Sequence, residues 1–153
     1  MAKGSLILIN GREPMGRFRS GIISGTPKPG QQMQIKAGVE PVNGLFTFEA
    51  VSAASPNQTP FILLNDEQQG CTASTAYVSG AVGRMYTPLE GDELNLLFAN
   101  VAGTSDTFAI GDKAVVNNVG KFVKDTGTPY HRVTVEETVS TALTADGLIA
   151  CTW

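Results

Sequence analysis

The chain has few of the residues on which chemical function usually depends. Its 153 residues include one histidine and two cysteines, Cys71 and Cys151, and charged side chains make up only 16% of the total. No run of eighteen apolar residues occurs, which argues against a membrane-spanning helix. The four apolar residues at 6–9 are too few for the core of a signal peptide. We therefore expect a protein made and used in a cytoplasm, with two reduced thiols.

No catalytic or cofactor-binding pattern is present in the sequence. The sequence contains no Gly-x-Ser-x-Gly motif, so it shows no nucleophilic serine that the single histidine, His131, would activate. Neither cysteine adjoins a basic residue that would lower the pKa of its thiol. Zinc-ligand spacings and the Gly-Lys-Ser/Thr ending of a phosphate-binding loop are absent. The acidic groups at 66–67 and 90–93 lack the spacing of a calcium loop. We predict a protein that is not an enzyme and holds no metal or cofactor.

What the chain does contain is a series of short strand-like runs separated by turn residues. No helical periodicity persists over three turns, and Gly, Pro, Asn or Asp ends each run. This pattern predicts an all-β fold, either a small barrel or a sandwich. The polar stretch near 56–83 is predicted to be a long loop. The clearest turn signals are Asn43-Gly44, Gly91-Asp92, Gly111-Asp112 and Asp146-Gly147.

Alternation of apolar and polar residues predicts which side chains face the core. Side chains of a strand point to opposite faces in turn, so the apolar members of an alternating run share one face. The side chains predicted to face inward are Phe46, Phe48, Leu94, Leu96, Phe98, Val133, Val135 and Val139.

Charge is distributed unevenly along the chain. Six of the eleven Lys and Arg lie in the first 36 residues with a single acid, Glu13, whereas the whole chain has a net charge of −3. Apolar residues run through this basic segment, which a merely solubilising tail does not need. We predict a basic, extended N-terminal arm over 1–30 that docks on a partner, followed by a single β-rich domain over 31–153. The alternative, that Ser5–Ile9 and Gly21–Ser24 are ordinary strands of the same body, remains open.

Five segments together resemble the small capsid decoration (cement) proteins of tailed bacteriophages. They begin with Pro-Leu-Glu-Gly-Asp-Glu-Leu-Asn-Leu-Leu at 88–97 and continue at 108–114, 118–122, 133–141 and 147–153. The resemblance implies a β-barrel or β-tulip body behind an N-terminal arm. It also implies a homotrimer on the outer surface of the virion, assembled in the bacterial cytoplasm, that ties neighbouring major capsid subunits together. The arm residues implied to contact the capsid are Leu6, Ile7, Leu8, Ile9, Arg12, Arg17, Phe18 and Arg19.

Three other functions are weighed against this one. A carbohydrate- or receptor-binding β-module would use aromatic stacking residues, for which the candidates are Tyr77, Tyr86, Tyr130 and Trp153. A small β-barrel enzyme such as a nucleotide hydrolase is disfavoured because no acid–base pattern is present. Nucleic-acid binding is suggested by Arg17-Phe18-Arg19 alone, and the acidic remainder of the chain opposes it. We therefore expect neither nucleic acid nor membrane as a partner.

Overall fold

The computed structural model describes residues 7–10, 17–52, 59–66, 68, 70, 72–100, 106–125, 127 and 133–153. Within these ranges the chain forms eleven β-strands and no α-helix, so the predicted all-β class is confirmed. No helical segment with the length and apolarity that a membrane crossing needs is found in this described part. The strands are β1 (Leu8–Asn10), β2 (Phe18–Ile23), β3 (Gln32–Ile35), β4 (Thr47–Ala50), β5 (Phe61–Leu63), β6 (Val82–Tyr86), β7 (Glu93–Phe98), β8 (Lys113–Val116), β9 (Phe122–Lys124), β10 (Val133–Val135) and β11 (Gly147–Thr152).

Five strands close into a small barrel in the order β2-β4-β3-β5-β6, which we call the first barrel. The β2–β4 pair is parallel and the other pairs are antiparallel. Two glycines permit this tight closure, because a Cβ on Gly21 would lie 2.3 Å from the Phe48 ring and one on Gly83 would lie 2.7 Å from Ile23. The barrel core consists of Ile23, Met33, Phe48, Phe61, Leu63, Tyr77 and Met85.

The remaining strands form a second sheet in the order β1-β7-β11-β10-β8-β9. A parallel pairing of Phe98 with Phe122 also joins β9 to β7, so the strands β7, β11, β10, β8 and β9 make a closed ring of neighbours. The side chains predicted to face inward here, Leu94, Leu96, Phe98, Val133 and Val135, are all buried. β7 is nevertheless buried on both faces, because Asn95 and Leu97 are buried as well. Val139 is partly buried against the same core.

The first barrel and the second sheet share a core and also touch along their backbones. Ile62, Leu64 and Tyr86 come from the first barrel and its edge, yet they belong to the apolar cluster around the second sheet. The carbonyl of Gly30 accepts a hydrogen bond from the Leu97 N–H at 3.0 Å. These contacts fix the two groups of strands against each other.

Residues 17–30, predicted to be part of a separate arm, belong to the folded body instead. β2 is hydrogen-bonded to β4 along one edge and to β6 along the other, and β1 pairs with β7. The structure therefore has the alternative arrangement, in which this part of the chain forms ordinary strands of the body. The reason is that a strand paired on both edges has its backbone groups satisfied only inside the sheet. The strand bounds differ by a few residues from the predicted ones. Residues 1–6 and 11–16 lie outside the described residues.

The stretch predicted as a polar loop near 56–83 is not a loop throughout. It contains the barrel strand β5, and it contributes Tyr77 to the barrel core. The Tyr77 hydroxyl donates to the Leu64 carbonyl at 2.8 Å, which satisfies its polar atom inside the protein. Residues 53–58, 67, 69 and 71 of this region lie outside the described residues.

Candidate protein-binding surface

One end of the first barrel opens to solvent in a depression of about 550 Å³, which we call the barrel mouth. Met33, Phe48 and Met85 point into the barrel core, and every second residue along a strand lies on the same face. The next inward-facing residues toward the open end of the barrel therefore line this depression. The lining residues are Arg19, Gln34, Ile35, Ala37, Thr59, Phe61 and Thr87.

Arg19 stands at the barrel mouth between two aromatic rings. Its guanidinium carbon lies 5.8 Å from the ring centroid of Phe46 and 5.8 Å from that of Phe61. This is the range of cation–π attraction, which orients the side chain without neutralising its charge. Among the described residues no carboxylate forms an ion pair with Arg19. The mouth therefore presents an oriented positive charge on an aromatic background.

A hairpin between β3 and β4 extends the mouth with exposed apolar side chains. The Asn43-Gly44 turn has φ values of 52° and 77°, and Val42 and Leu45 exchange two backbone hydrogen bonds of 3.0 and 2.9 Å across it. Positive φ at both central residues is what a tight hairpin requires, so the predicted turn at Asn43-Gly44 is confirmed. We call the barrel mouth together with the exposed side chains of Ile35, Val39, Val42 and Phe46 the mouth surface.

Behind the mouth, Arg17 is held in a buried ion pair. Its Nη2 lies 2.5 Å from Asp92 Oδ2, and the two side chains are 9% and 0% exposed. Its Nε and Nη2 also donate to the Thr87 carbonyl at 3.0 and 2.9 Å, while the Thr87 N–H donates to the Arg17 carbonyl at 2.9 Å. The Arg17 guanidinium also lies 4.7 Å from the Tyr86 ring centroid. Arg17 thus fastens the chain ahead of β2 to the turn between β6 and β7.

The Asp92 carboxylate also stabilises the turn between β6 and β7. Asp92 Oδ2 accepts hydrogen bonds from the Tyr86 hydroxyl and from the Leu89 N–H, both at 2.7 Å. Burial, reinforced by the hydrogen bond to Asp92, raises the pKa of the Tyr86 hydroxyl well above its usual range, so Tyr86 acts as a neutral donor. We call Arg17, Tyr86 and Asp92 the Arg17 cluster.

The structure separates the eight residues predicted to contact a capsid. Ile7 and Arg17 are buried, and Phe18 packs partly buried against the shared core, so these three serve the chain's own fold. Arg19 is exposed at the barrel mouth. Leu8 and Ile9 lie in β1, but their side chains are outside the description. Leu6 and Arg12 lie outside the described residues altogether.

The other candidate residues are placed as follows. Tyr77 and Tyr86 are buried, so they are not available for stacking on a sugar, and Trp153 is half-buried against the Phe122 ring. Tyr130, His131 and Cys71 lie outside the described residues. In the part of the chain that is described, no three His, Cys, Asp or Glu side chains form a group that could hold a metal ion.

Cys151 is a free, fully buried thiol on β11. Burial, with smaller contributions from Glu136 and Glu137, raises the pKa of this thiol well above its usual range. Because the thiolate is the reactive species, we expect Cys151 in a Cys71→Ser variant to react with a thiol reagent at least about a thousandfold more slowly in native protein than in urea. Equal rates under the two conditions would show that Cys151 is accessible, contrary to its position.

Apart from Arg19, the exposed residues of the mouth surface are not singled out by the sequence analysis. The prediction that Phe46 faces the core with Phe48 is wrong for Phe46, because it lies where the barrel opens and is 37% exposed. Ile35, Val39 and Val42 lie close to a recognisable Asn-Gly turn. Apolar residues near the tip of a predicted hairpin are the sequence signal that could have indicated this exposed surface.

The sequence matches no protein-family model, and it matches no curated protein.

Proposed function

We propose that this chain is a structural, non-enzymatic protein that binds the outside of a tailed-phage capsid and cements neighbouring major capsid subunits. In this proposal it acts as a homotrimer at three-fold sites of the virion. The observation that carries the proposal is the hairpin of the mouth surface, where the exposed apolar side chains of Val39 and Val42 project from a closed barrel. Exposed apolar side chains grouped on one surface commonly mark a protein–protein interaction site.

Two further observations support a binding role. The segments that resemble capsid decoration proteins each overlap one of the strands β7 to β11 of the second sheet, which form a closed ring in this fold. The hydrogen-bonded hairpin and the closed barrel also fix the mouth surface before any partner arrives. Preorganisation lowers the ordering cost of binding, and many copies on one shell multiply a modest affinity per site.

The decisive test is co-sedimentation of the purified protein with phage shells stripped of their own decoration protein. We expect binding to expanded shells and not to unexpanded shells, since a cement protein recognises the mature lattice. A free sugar such as galactose should not release the bound protein. Release by sugar would favour the carbohydrate-binding alternative, and a lack of binding to expanded shells would contradict the capsid function.

A pair of valine substitutions locates the contact within the same experiment. Val42 is 54% exposed on the mouth surface, and Val78 is 73% exposed but lies outside that surface. We expect Val42→Ser to weaken shell binding by about tenfold, because the loss of a central apolar contact commonly costs more than 1 kcal/mol. Val78→Ser is the matched control and should bind as the unaltered chain does. Equal effects of the two substitutions would exclude the mouth surface as the contact.

A further inference from the structure

An exposed acidic residue, opposite in charge to Arg19, follows one of the barrel-mouth residues closely in the sequence. Thr87 lines the mouth, and the turn that follows it carries exposed Leu89 and Glu90. Within the described residues no cation forms an ion pair with Glu90. The chain therefore presents a cationic hollow at Arg19 and an apolar–acidic projection at Leu89-Glu90.

The projection has a fixed shape. The Leu89 N–H donates to Asp92 Oδ2, the Asp92 N–H donates to the Leu89 carbonyl at 3.0 Å, and the Gly91 N–H donates to the Trp153 carbonyl at 3.0 Å. Gly91 has a φ of 91°, a conformation that side chains disfavour. The Arg17 cluster thus holds Leu89 outward in solvent with little conformational freedom left to lose on binding.

The charge of the chain is also divided unevenly. Residues 17–86 carry five basic and four acidic side chains, a net charge of +1. Residues 87–153 carry four basic and nine acidic side chains, a net charge of −5. The acidic second part of one copy therefore repels the second part of another copy and favours contact with its first part.

We propose that the Leu89-Glu90 turn of one copy docks in the barrel mouth of a second copy, with the Glu90 carboxylate on the Arg19 guanidinium. The apolar background for Leu89 is supplied by Ile35 and Phe46. Because the hollow and the projection are different surfaces, the contact is head-to-tail, and in the proposed homotrimer three such contacts close the ring. This inference rests on the homotrimer in the proposed function and assigns its contact.

Light scattering on the full chain, without any shell, tests the contact. We expect a concentration-dependent oligomer whose dissociation constant rises by about a hundredfold or more in Arg19→Glu, because like charges facing each other cost several kcal/mol. Glu90→Arg should behave in the same way. Combining Arg19→Glu and Glu90→Arg in one chain restores opposite charges at each contact and should restore the oligomer.

Arg84→Glu is the matched control. Arg84 is also exposed, it lies on β6 where that strand pairs with β2, and its guanidinium lies 5.5 Å from the Phe18 ring. The substitution changes the net charge by the same amount and should leave the dissociation constant unchanged. Urea unfolding of each variant checks that the fold is intact.

Three results would overturn the inference: a monomer at every concentration, an unaltered oligomer in Arg19→Glu, or equal weakening by Arg84→Glu. A monomer that nevertheless binds expanded shells would remove this contact and leave the capsid function standing. An oligomer that Arg19→Glu dissociates, but that binds no shell, would support the contact and remove the capsid function.

Discussion

Asp92→Ala is expected to lower the free energy of unfolding by about 3–5 kcal/mol, the usual cost of breaking a buried ion pair by removing one partner. The substitution leaves the Arg17 guanidinium buried with its Thr87 carbonyl contact but without the Asp92 carboxylate. It also removes the acceptor of the Tyr86 hydroxyl and of the Leu89 N–H. Domains have only about 5–15 kcal/mol of stability, so this loss is a large share. Urea unfolding followed by tryptophan fluorescence measures it.

The ion pair between Lys124 and Asp112 provides the comparison. Its atoms lie 3.1 Å apart, but the two side chains are 42% and 30% exposed, so solvent screens the interaction. Lys124→Met should therefore cost no more than about 1 kcal/mol. If Asp92→Ala costs as little as Lys124→Met, the Arg17 cluster does not hold the N-terminal segment to the second sheet.

Gly120→Ala is expected to destabilise the protein by about 2–5 kcal/mol, because two separate penalties meet at this position. Gly120 has a φ of +73°, where an L-residue pays about 1–2 kcal/mol. A Cβ there would also lie 2.4 Å from the Gln32 carbonyl oxygen, and overpacking of this kind costs about 1–3 kcal/mol. Backbone of the first barrel cannot move away freely, since the Gln32 N–H donates to the Gly120 carbonyl at 2.7 Å.

Gly38→Ala isolates the conformational part of that penalty. Gly38 has the same φ of +73°, but nothing lies within 4 Å of a Cβ built there. Its substitution should cost only about 1–2 kcal/mol. The difference between the two variants in urea unfolding measures how closely the first barrel and the second sheet approach. Equal losses would mean that the two groups of strands separate readily at Gly120.

The tight turns and the core faces of the strands could be read from the sequence because both are local properties. Asn43-Gly44 makes a turn through its own backbone preferences. The alternation of Leu94, Leu96 and Phe98 identifies a buried face whichever strands lie alongside. The absence of helical periodicity likewise required an all-β fold, and the structure has one.

The candidate site could not be predicted in the same way, because exposure at a barrel end depends on where neighbouring strands stop. Phe46 and Phe48 share a face of one run, yet only Phe48 lies under the other strands of the barrel. The resemblance implies Arg19 as a contact residue, but its place between Phe46 and Phe61 depends on pairings with segments far along the chain.

The sequence by itself determined the all-β class, the turn at Asn43-Gly44, the inward side chains of β7 and β10, and the uneven distribution of charge. Only the tertiary structure decided that residues 17–30 of the basic N-terminal segment are part of the body. Arg17 finds its counter-charge 75 residues away in Asp92, and β2 finds its partners in β4 and β6. Such pairings depend on the strand register that buries the most apolar surface while every backbone N–H and C=O group finds a hydrogen-bond partner. That is a property of all the strands together, so no single segment of the sequence displays it.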